Sequence, residues 1–283
     1  MSEFDASVRR IAIQIGINDP VAVSSDFENS SVRVGYSFTG RSAIRTVNIQ
    51  FGAMVSILSM CELDALIAHE FAHVVAGHTS RLGFRSLHAI QKLPPSPVRT
   101  FFANLVVTTL RYKSFWLGRQ REFAADKIAC GKVSALSLAC VLVKTAAFEN
   151  AIDELWSHKT IGGYTPVFES KSIQPRSRFP NGLSSLEILQ VISDSFEMNI
   201  DAFRSCSKMA KQLDSSTRDH PSNHERLERI GLDWNTAEAK CVFAPEKRLD
   251  FNAFRKWICE SKNKIIATKA NNAMDAKGSV TAR

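Results

Sequence analysis

The sequence lacks the features of a secreted or disulfide-stapled protein. Its six cysteines are scattered without any C-x-x-C pair, and the N-terminal residues Met-Ser-Glu-Phe-Asp lack the basic-then-apolar form of a secretory signal. Disulfides persist in oxidising compartments, so this pattern predicts free thiols in a reducing one. We expect a cytoplasmic protein.

A long hydrophobic run is also missing. The uncharged stretch from Thr100 to Leu110 is about half of the ~20 residues that a membrane span needs, and arginines bracket it. A second apolar run, Val133 to Val143, ends at Lys144. Both stretches predict buried or interfacial helices rather than membrane spans.

The net charge is +8, and the C-terminal residues contribute strongly, with five Lys or Arg after residue 261 against Asp275 alone. Basic segments interleaved with aromatics would favour nucleic acid, but this pattern is absent, so we expect no specific nucleic-acid partner. The composition of residues 259–283 predicts a basic, disordered tail. Attraction of this tail to anionic lipid stays open, as peripheral membrane association.

The rest of the chain predicts one domain, residues 1–258, which is α+β and mainly helical. An N-terminal part, 5–58, has an amphipathic helix at 5–16 followed by three β-like runs, which predict a small antiparallel sheet: Val21 to Ser24, Ser31 to Phe38 and Arg45 to Phe51. Residues 59–231 form the helical part, with helices expected at 98–117, 119–132, 134–158, 183–197, 199–213 and 221–230. A long polar loop at 159–182 interrupts them.

The most informative stretch begins at Ser59. Ser59 and Glu62 have the spacing of a capping box, which marks the start of a helix. The helix carries His69-Glu70-Phe71-Ala72-His73, so its two imidazoles are one turn apart on the same face. That spacing suits one Zn²⁺ with bonds of about 2.0–2.1 Å, and Glu70 between them suits a general base that deprotonates water.

A zinc site needs a further protein donor, and a second pair of residues at helical spacing offers it. Glu122 and Asp126 are also one turn apart, so both can face the first helix. We predict Glu122 as the third zinc ligand. Asp126 is predicted to accept a hydrogen bond from the far ring nitrogen of a histidine, which we expect to be His69, and so to fix its tautomer.

Three ordered segments resemble the HtpX-like and CaaX-prenyl-protease-like zinc metallopeptidases, within the gluzincins. They are Ala68 to Val74 with Gly77-His78, then Arg121 to Asp126, and finally Asp219 to Arg226. The resemblance implies a gluzincin core with one Zn²⁺ per chain, held by His69, His73 and Glu122, with Glu70 as the base. It also brings His220 and Arg226 near the metal, to stabilise an oxyanion or to order the site. Alternatively, His220 caps the helix that Pro221 opens.

The resemblance therefore implies a zinc metalloendopeptidase that acts on protein or peptide substrates, with the edge of the small sheet lining the cleft. One departure is that family members often carry transmembrane helices, whereas this chain has no run long enough. Two alternatives stay open. One is an autoinhibited or chaperone-like zinc-binding protein of the same fold, and the other is a protease attached to the membrane surface.

Overall fold

The computed structural model describes residues 2–25, 31–39, 44–76, 116–156, 194, 196, 199–213, 221–243, 249–261 and 265–266. These residues are mainly helical with one small sheet, which confirms the predicted fold class. The helices are α1 (Glu3–Ile15), α2 (Met60–Val75), α3 (116–130), α4 (Ala135–Trp156), α5 (Ile200–Leu213), α6 (Asn223–Arg229), α7 (Trp234–Phe243) and α8 (Phe251–Ser261). The strands are β1 (Val21–Ser25), β2 (Arg33–Thr39), β3 (Ile44–Phe51) and β4 (Ile265–Ile266), and a 3-10 helix covers Ala53–Ile57.

Helix α1 begins and ends where local chemistry dictates. The side chain of Ser2 caps its first turn by accepting from the backbone N–H of Asp5. Gly16 ends it with φ of 93°, a conformation that glycine adopts without strain. One face, with Val8 and Ile11 fully covered, packs against α2.

The sheet has the order β2-β3-β1-β4 and is mixed, so the prediction of an antiparallel sheet is wrong in this respect. β2 and β3 pair as an antiparallel hairpin, as expected for neighbouring strands. β1, however, pairs in parallel with β3, with Val21 opposite Val47. The hairpin thus places β2 at one edge and leaves the other side of β3 for β1.

Helix α2 starts at the predicted capping box. The backbone N–H of Ser59 donates to the Glu62 carboxylate at 2.7 Å, and Ser59 Oγ accepts from the Glu62 N–H at 3.4 Å. Most of the helix is buried, including Leu63, Ile67 and Phe71. It packs on α1, on the sheet and on α4, so α2 is the central element of the fold.

Helix α4 has 22 residues and is longer than the apolar run seen in the sequence. Its window Ala135–Ile152 is long and apolar enough, by length and composition, to cross a membrane, which corrects the expectation that no such segment exists. However, 61% of that window is buried inside the protein, where α4 packs against α2, α5 and α7. A core helix passes the same test of length and composition.

A helix lies across the predicted boundary between the domain and the tail. Helix α8 continues to Ser261, across the predicted boundary at 258, and Ile265–Ile266 pairs with β1. Phe254 stacks edge-on against Phe4 and Phe51, and Trp257 Nε1 donates to Asp5 Oδ1 at 3.0 Å. The C-terminal helix therefore completes the N-terminal core.

Other predictions lie wholly or largely outside the described residues. These are the helix at 98–117, the loop at 159–182, the helix at 183–197 and the remainder of the tail after residue 266.

Candidate active site and metal centre

The two histidines of α2 face each other one turn apart, as their spacing predicts. Nε2 of His69 and Nε2 of His73 are 3.1 Å apart, and the ring planes are perpendicular, at 90°. His69 is 5% exposed and lines the same cavity as His73. Two ring nitrogens this close together can supply two of the four ligands of a tetrahedral metal ion.

Glu122 on α3 completes the group. Its Oε2 lies 3.4 Å from Nε2 of His69, and its Oε1 lies 3.5 Å from Nε2 of His73. A tetrahedral zinc ion with bonds of about 2.0–2.1 Å separates its ligand atoms by about 3.3 Å. The three observed separations are close to this value, so the arrangement fits one small divalent ion with a position left for water.

Asp126 lies one turn further along α3 and contacts the other nitrogen of His69. Its Oδ1 is 2.9 Å from Nδ1 of His69, and its side chain is 1% exposed. If Nδ1 carries the proton and donates it, Nε2 keeps its lone pair for a metal. Burial would raise the pKa of Asp126, but hydrogen bonds and charge from Arg226, together with His69, outweigh it and lower this pKa to about 2.

Without a metal, His69 is a strong base. Burial acts to lower its pKa, but hydrogen bonds to Asp126 and Glu122 outweigh burial and raise this pKa to about 9. A proton and a metal therefore compete for this imidazole.

Glu70 is the candidate general base of the site. It lines the cavity together with His69 and His73. Removal from water, with repulsion from Glu122, raises the pKa of Glu70 to about 7, although His69 and Arg226 oppose this. A carboxyl group with a pKa near neutrality can both take and return a proton, which is typical of functional sites.

Arg226 on α6 lies beside the donor group and holds Asp126 with two hydrogen bonds. Nε donates to Oδ2 at 2.8 Å and Nη2 donates to Oδ1 at 2.7 Å. Nη2 is also 3.4 Å from Nε2 of His69. Of the two roles implied for Arg226, these contacts favour ordering the site. His220, the other residue implied there, lies outside the described residues.

Helix α6 is positioned by its own capping box and by an ion pair to α3. Ser222 Oγ accepts from the N–H of Glu225, whose carboxylate accepts in return from the N–H of Ser222. The Glu225 carboxylate also accepts from Arg119 at 2.6 Å. The start of α6 is thereby held against α3, which brings Arg226 to Asp126.

A second set of metal-type donors lies in the core, where Glu62, Cys140 and Cys241 come together. The carboxylate of Glu62 is already used, because Oε2 accepts from both Ser59 N–H and Lys144 Nζ, the latter at 2.8 Å. Burial, then the neighbouring Cys140, raises the pKa of Cys241 well above its ordinary value, which opposes the thiolate that a metal needs. The histidine group is the better metal centre.

Two contributions of α4 were not predicted from the sequence. Lys144 was noted only as the end of an apolar run, yet it donates to the carbonyl of Ile57 and to Glu62, and so anchors the start of α2. A single lysine within an apolar helix was the available signal, since a buried ammonium needs partners. The other contribution is a row of α4 side chains that lines the cavity beside Glu70.

The geometry of the site indicates the class of protein. A buried His-His-Glu donor set with an adjacent carboxyl base is typical of a metal-dependent hydrolase. Among protein-family models, the one described as peptidase family M48 matches residues 8–231. The chain belongs to this family and is by membership a metallopeptidase, which confirms the resemblance seen in the sequence. Comparisons with curated proteins and with solved structures gave no match.

Proposed function

We propose that the protein is a zinc-dependent endopeptidase in which Glu70 is the general base. The observation that carries the proposal is the donor triangle formed by Nε2 of His69, Nε2 of His73 and the Glu122 carboxylate: the two nitrogens are 3.1 Å apart, Oε2 of Glu122 is 3.4 Å from that of His69, and Oε1 is 3.5 Å from that of His73. Family membership supports the peptidase reaction, and the donor chemistry supports zinc, which prefers imidazole and carboxylate in tetrahedral sites.

Three residues would bind the ion, and two others would orient a ligand. His69, His73 and Glu122 would hold the zinc ion, and Asp126 keeps the proton of His69 on Nδ1. The chemistry that a bound zinc ion supplies is Lewis acidity, which polarises a carbonyl and lowers the pKa of water. Arg226 keeps Asp126 charged and in place.

Glu70 handles the proton. As a carboxylate beside the donor triangle it accepts a proton from the attacking water, and as a carboxylic acid it donates this proton to the amine that leaves. A pKa of about 7 in the metal-free protein suits both halves of this cycle. The nearby positive charge of a bound ion would lower the pKa of Glu70 again and favour the carboxylate, which accepts the proton.

An extended peptide would bind along β2. This strand lies at one edge of the sheet in the described part of the chain, and Ser31 to Val34 line the cavity that holds Glu70. An edge strand offers backbone N–H and C=O groups to an added strand. Binding by the backbone would leave both ends of the substrate free to extend, as endopeptidase activity requires.

The test is the Glu70→Gln variant, with exposed Glu228→Gln as the matched control. We expect the zinc-loaded wild-type protein and the control to cut within long peptides of a proteome-derived mixture, read by mass spectrometry. Glu70→Gln should bind zinc equally but cut at least about 10²-fold more slowly, which is the usual contribution of a general base. Full activity of Glu70→Gln, or release of terminal residues only, would contradict the proposal.

A further inference from the structure

One cavity joins the donor triangle to a face of α4. Its volume is about 1020 Å³, and it is lined by His69, Glu70 and His73 as well as by a row of α4 residues. The row consists of Leu138, Val141, Leu142, Thr145, Ala146, Glu149 and Asn150. We call these seven residues the α4 row.

The α4 row has the spacing of a single helical face. Its members follow one another at intervals of three and one, so they share one stripe along the helix. From Leu138 to Asn150 the stripe is about 18 Å long at 1.5 Å per residue. An extended peptide covers that distance with about five residues, at roughly 3.3 Å each.

The chemistry of the row changes along its length. Leu138, Val141 and Leu142 are apolar, and the hydroxyl of Thr145 is satisfied within the helix by donating to the carbonyl of Val141 at 2.7 Å. Met54 and Leu66 add to the apolar lining. An apolar side chain would gain from leaving water at this end of the row, because the charged member of the row, Glu149, lies towards the other end.

The middle of the row is where the side chains are smallest. Ala146 follows Leu142 by one turn and precedes Asn150 by one turn, so a methyl group stands between two larger side chains. At the Asn150 end, a residue 9% exposed, the amide Nδ2 has no hydrogen-bond partner within the described ranges. A carbonyl oxygen of a bound peptide would supply the acceptor that this donor needs.

We infer that the α4 row is a substrate subsite, in which the space over Ala146 takes one bulky apolar side chain of an extended peptide. This inference rests on the proposed function, because it names the substrate class of the same cavity. Ala146 sets the size of the side chain accepted. Asn150 orients the peptide backbone beside it.

Peptide binding tests the subsite without any need for turnover. The Glu70→Gln protein, loaded with zinc, is titrated with fluorescein-labelled host peptides of Ala, Ser and Gly in which one position is varied among Ala, Leu, Phe, Asp and Lys. We expect Leu and Phe peptides to bind about tenfold or more tightly than the Ala peptide, and Asp and Lys peptides no better than Ala.

A second substitution in the same background assigns that preference to α4. Ala146→Leu should bring the Phe-to-Ala affinity ratio close to one, because the added side chain fills the space. Ala135→Leu, on the same helix but not among the cavity residues, should leave the ratio as it was. Circular dichroism and zinc content verify that each variant is folded and loaded.

Three results would overturn the inference. These are equal affinity for all guests, tighter binding of Lys or Asp peptides, or an unchanged ratio in folded Ala146→Leu protein. Failure of the proposed function looks different, since it is seen in turnover, as full activity of Glu70→Gln or as release of terminal residues only, whatever the binding pattern.

Discussion

Nδ1 of His69 lies 2.9 Å from Oδ1 of Asp126, a carboxylate whose side chain is 1% exposed. The contact joins α2 to α3 at the metal centre and leaves Nε2 of His69 directed towards His73 and Glu122. The candidate metal centre therefore depends on a residue that is not itself expected to touch a metal.

Replacing Asp126 with Asn should weaken zinc binding. The amide keeps the shape but removes the charge that holds the Nδ1 proton and makes Nε2 a better donor. We expect a loss of about 10–100-fold in zinc affinity, which is the usual effect of such partners. Competition with a chromophoric chelator measures it, with exposed Asp233→Asn as the control. Equal affinity in the two variants would show that Asp126 has no such role.

Removing Arg226 should destabilise the fold through Asp126. The Arg226 side chain is 13% exposed and makes two hydrogen bonds to Asp126, so Arg226→Met removes the guanidinium from a buried carboxylate and leaves it only the contact with His69. We expect the free energy of unfolding, from urea titration, to fall by about 3–5 kcal/mol. Arg226→Lys should recover only part of it, because an ammonium cannot bind in the same two-pronged way.

The control for that prediction is Arg229→Met on the same helix. Arg229 is exposed and lies over the ring of Phe123, a contact worth less than about 1 kcal/mol. A similar loss in both variants would mean that the Asp126 pair is no more important than a surface contact.

The metal-free protein should become less stable as the pH rises from about 5 to 9. The pKa of His69 is raised from 6.5 to about 9, and that of Glu70 from 4.5 to about 7. Over these windows the folded protein holds more protons than the unfolded chain, so its stability falls with increasing pH. Asp126 has the opposite sign, but its lowered pKa acts only below about pH 4.

Melting temperatures with excess chelator and with stoichiometric zinc measure this effect. Zinc takes the place of the proton on His69, so the loaded protein should lack the fall between pH 6.5 and 9. Asp126→Asn should also flatten the chelated curve in that range. A chelated curve that is flat or rises there would contradict the protonation described for His69.

The C-terminal helix should be essential to the N-terminal core. Phe254 is fully buried and contacts Phe4 and Phe51, so Phe254→Ala should lower the free energy of unfolding by about 3–5 kcal/mol. Exposed Arg255→Ala on the same helix should cost less than about 1 kcal/mol. Comparable losses would place α8 outside the cooperative fold.

Local chemistry explains why so much of the site was predictable. The Ser59–Glu62 capping box predicts the start of α2, and helical spacing alone places His69 beside His73 and Glu122 beside Asp126. Only one long-range step was then needed, that Glu122 meets the histidines, and zinc chemistry demands it.

Features that depend on distant pairing were not predictable. Whether β1 lies beside β2 or β3 is decided by long-range strand pairing, and nothing in residues 21–25 indicates it. Lys144 pairs with Glu62 across 82 residues, and Arg226 binds Asp126 across 100. The packing of α8 on α1 was not predictable either, because it depends on contacts of Phe254 with Phe4 and of Trp257 with Asp5, about 250 residues apart in the chain.

Anomalous diffraction at the zinc edge, from crystals of the zinc-loaded protein, tests the central claim most directly. The account predicts one strong peak per chain, about 2.0–2.2 Å from Nε2 of His69, Nε2 of His73 and an oxygen of Glu122. A peak at Glu62, Cys140 and Cys241 instead, or no peak in fully occupied protein, would contradict it.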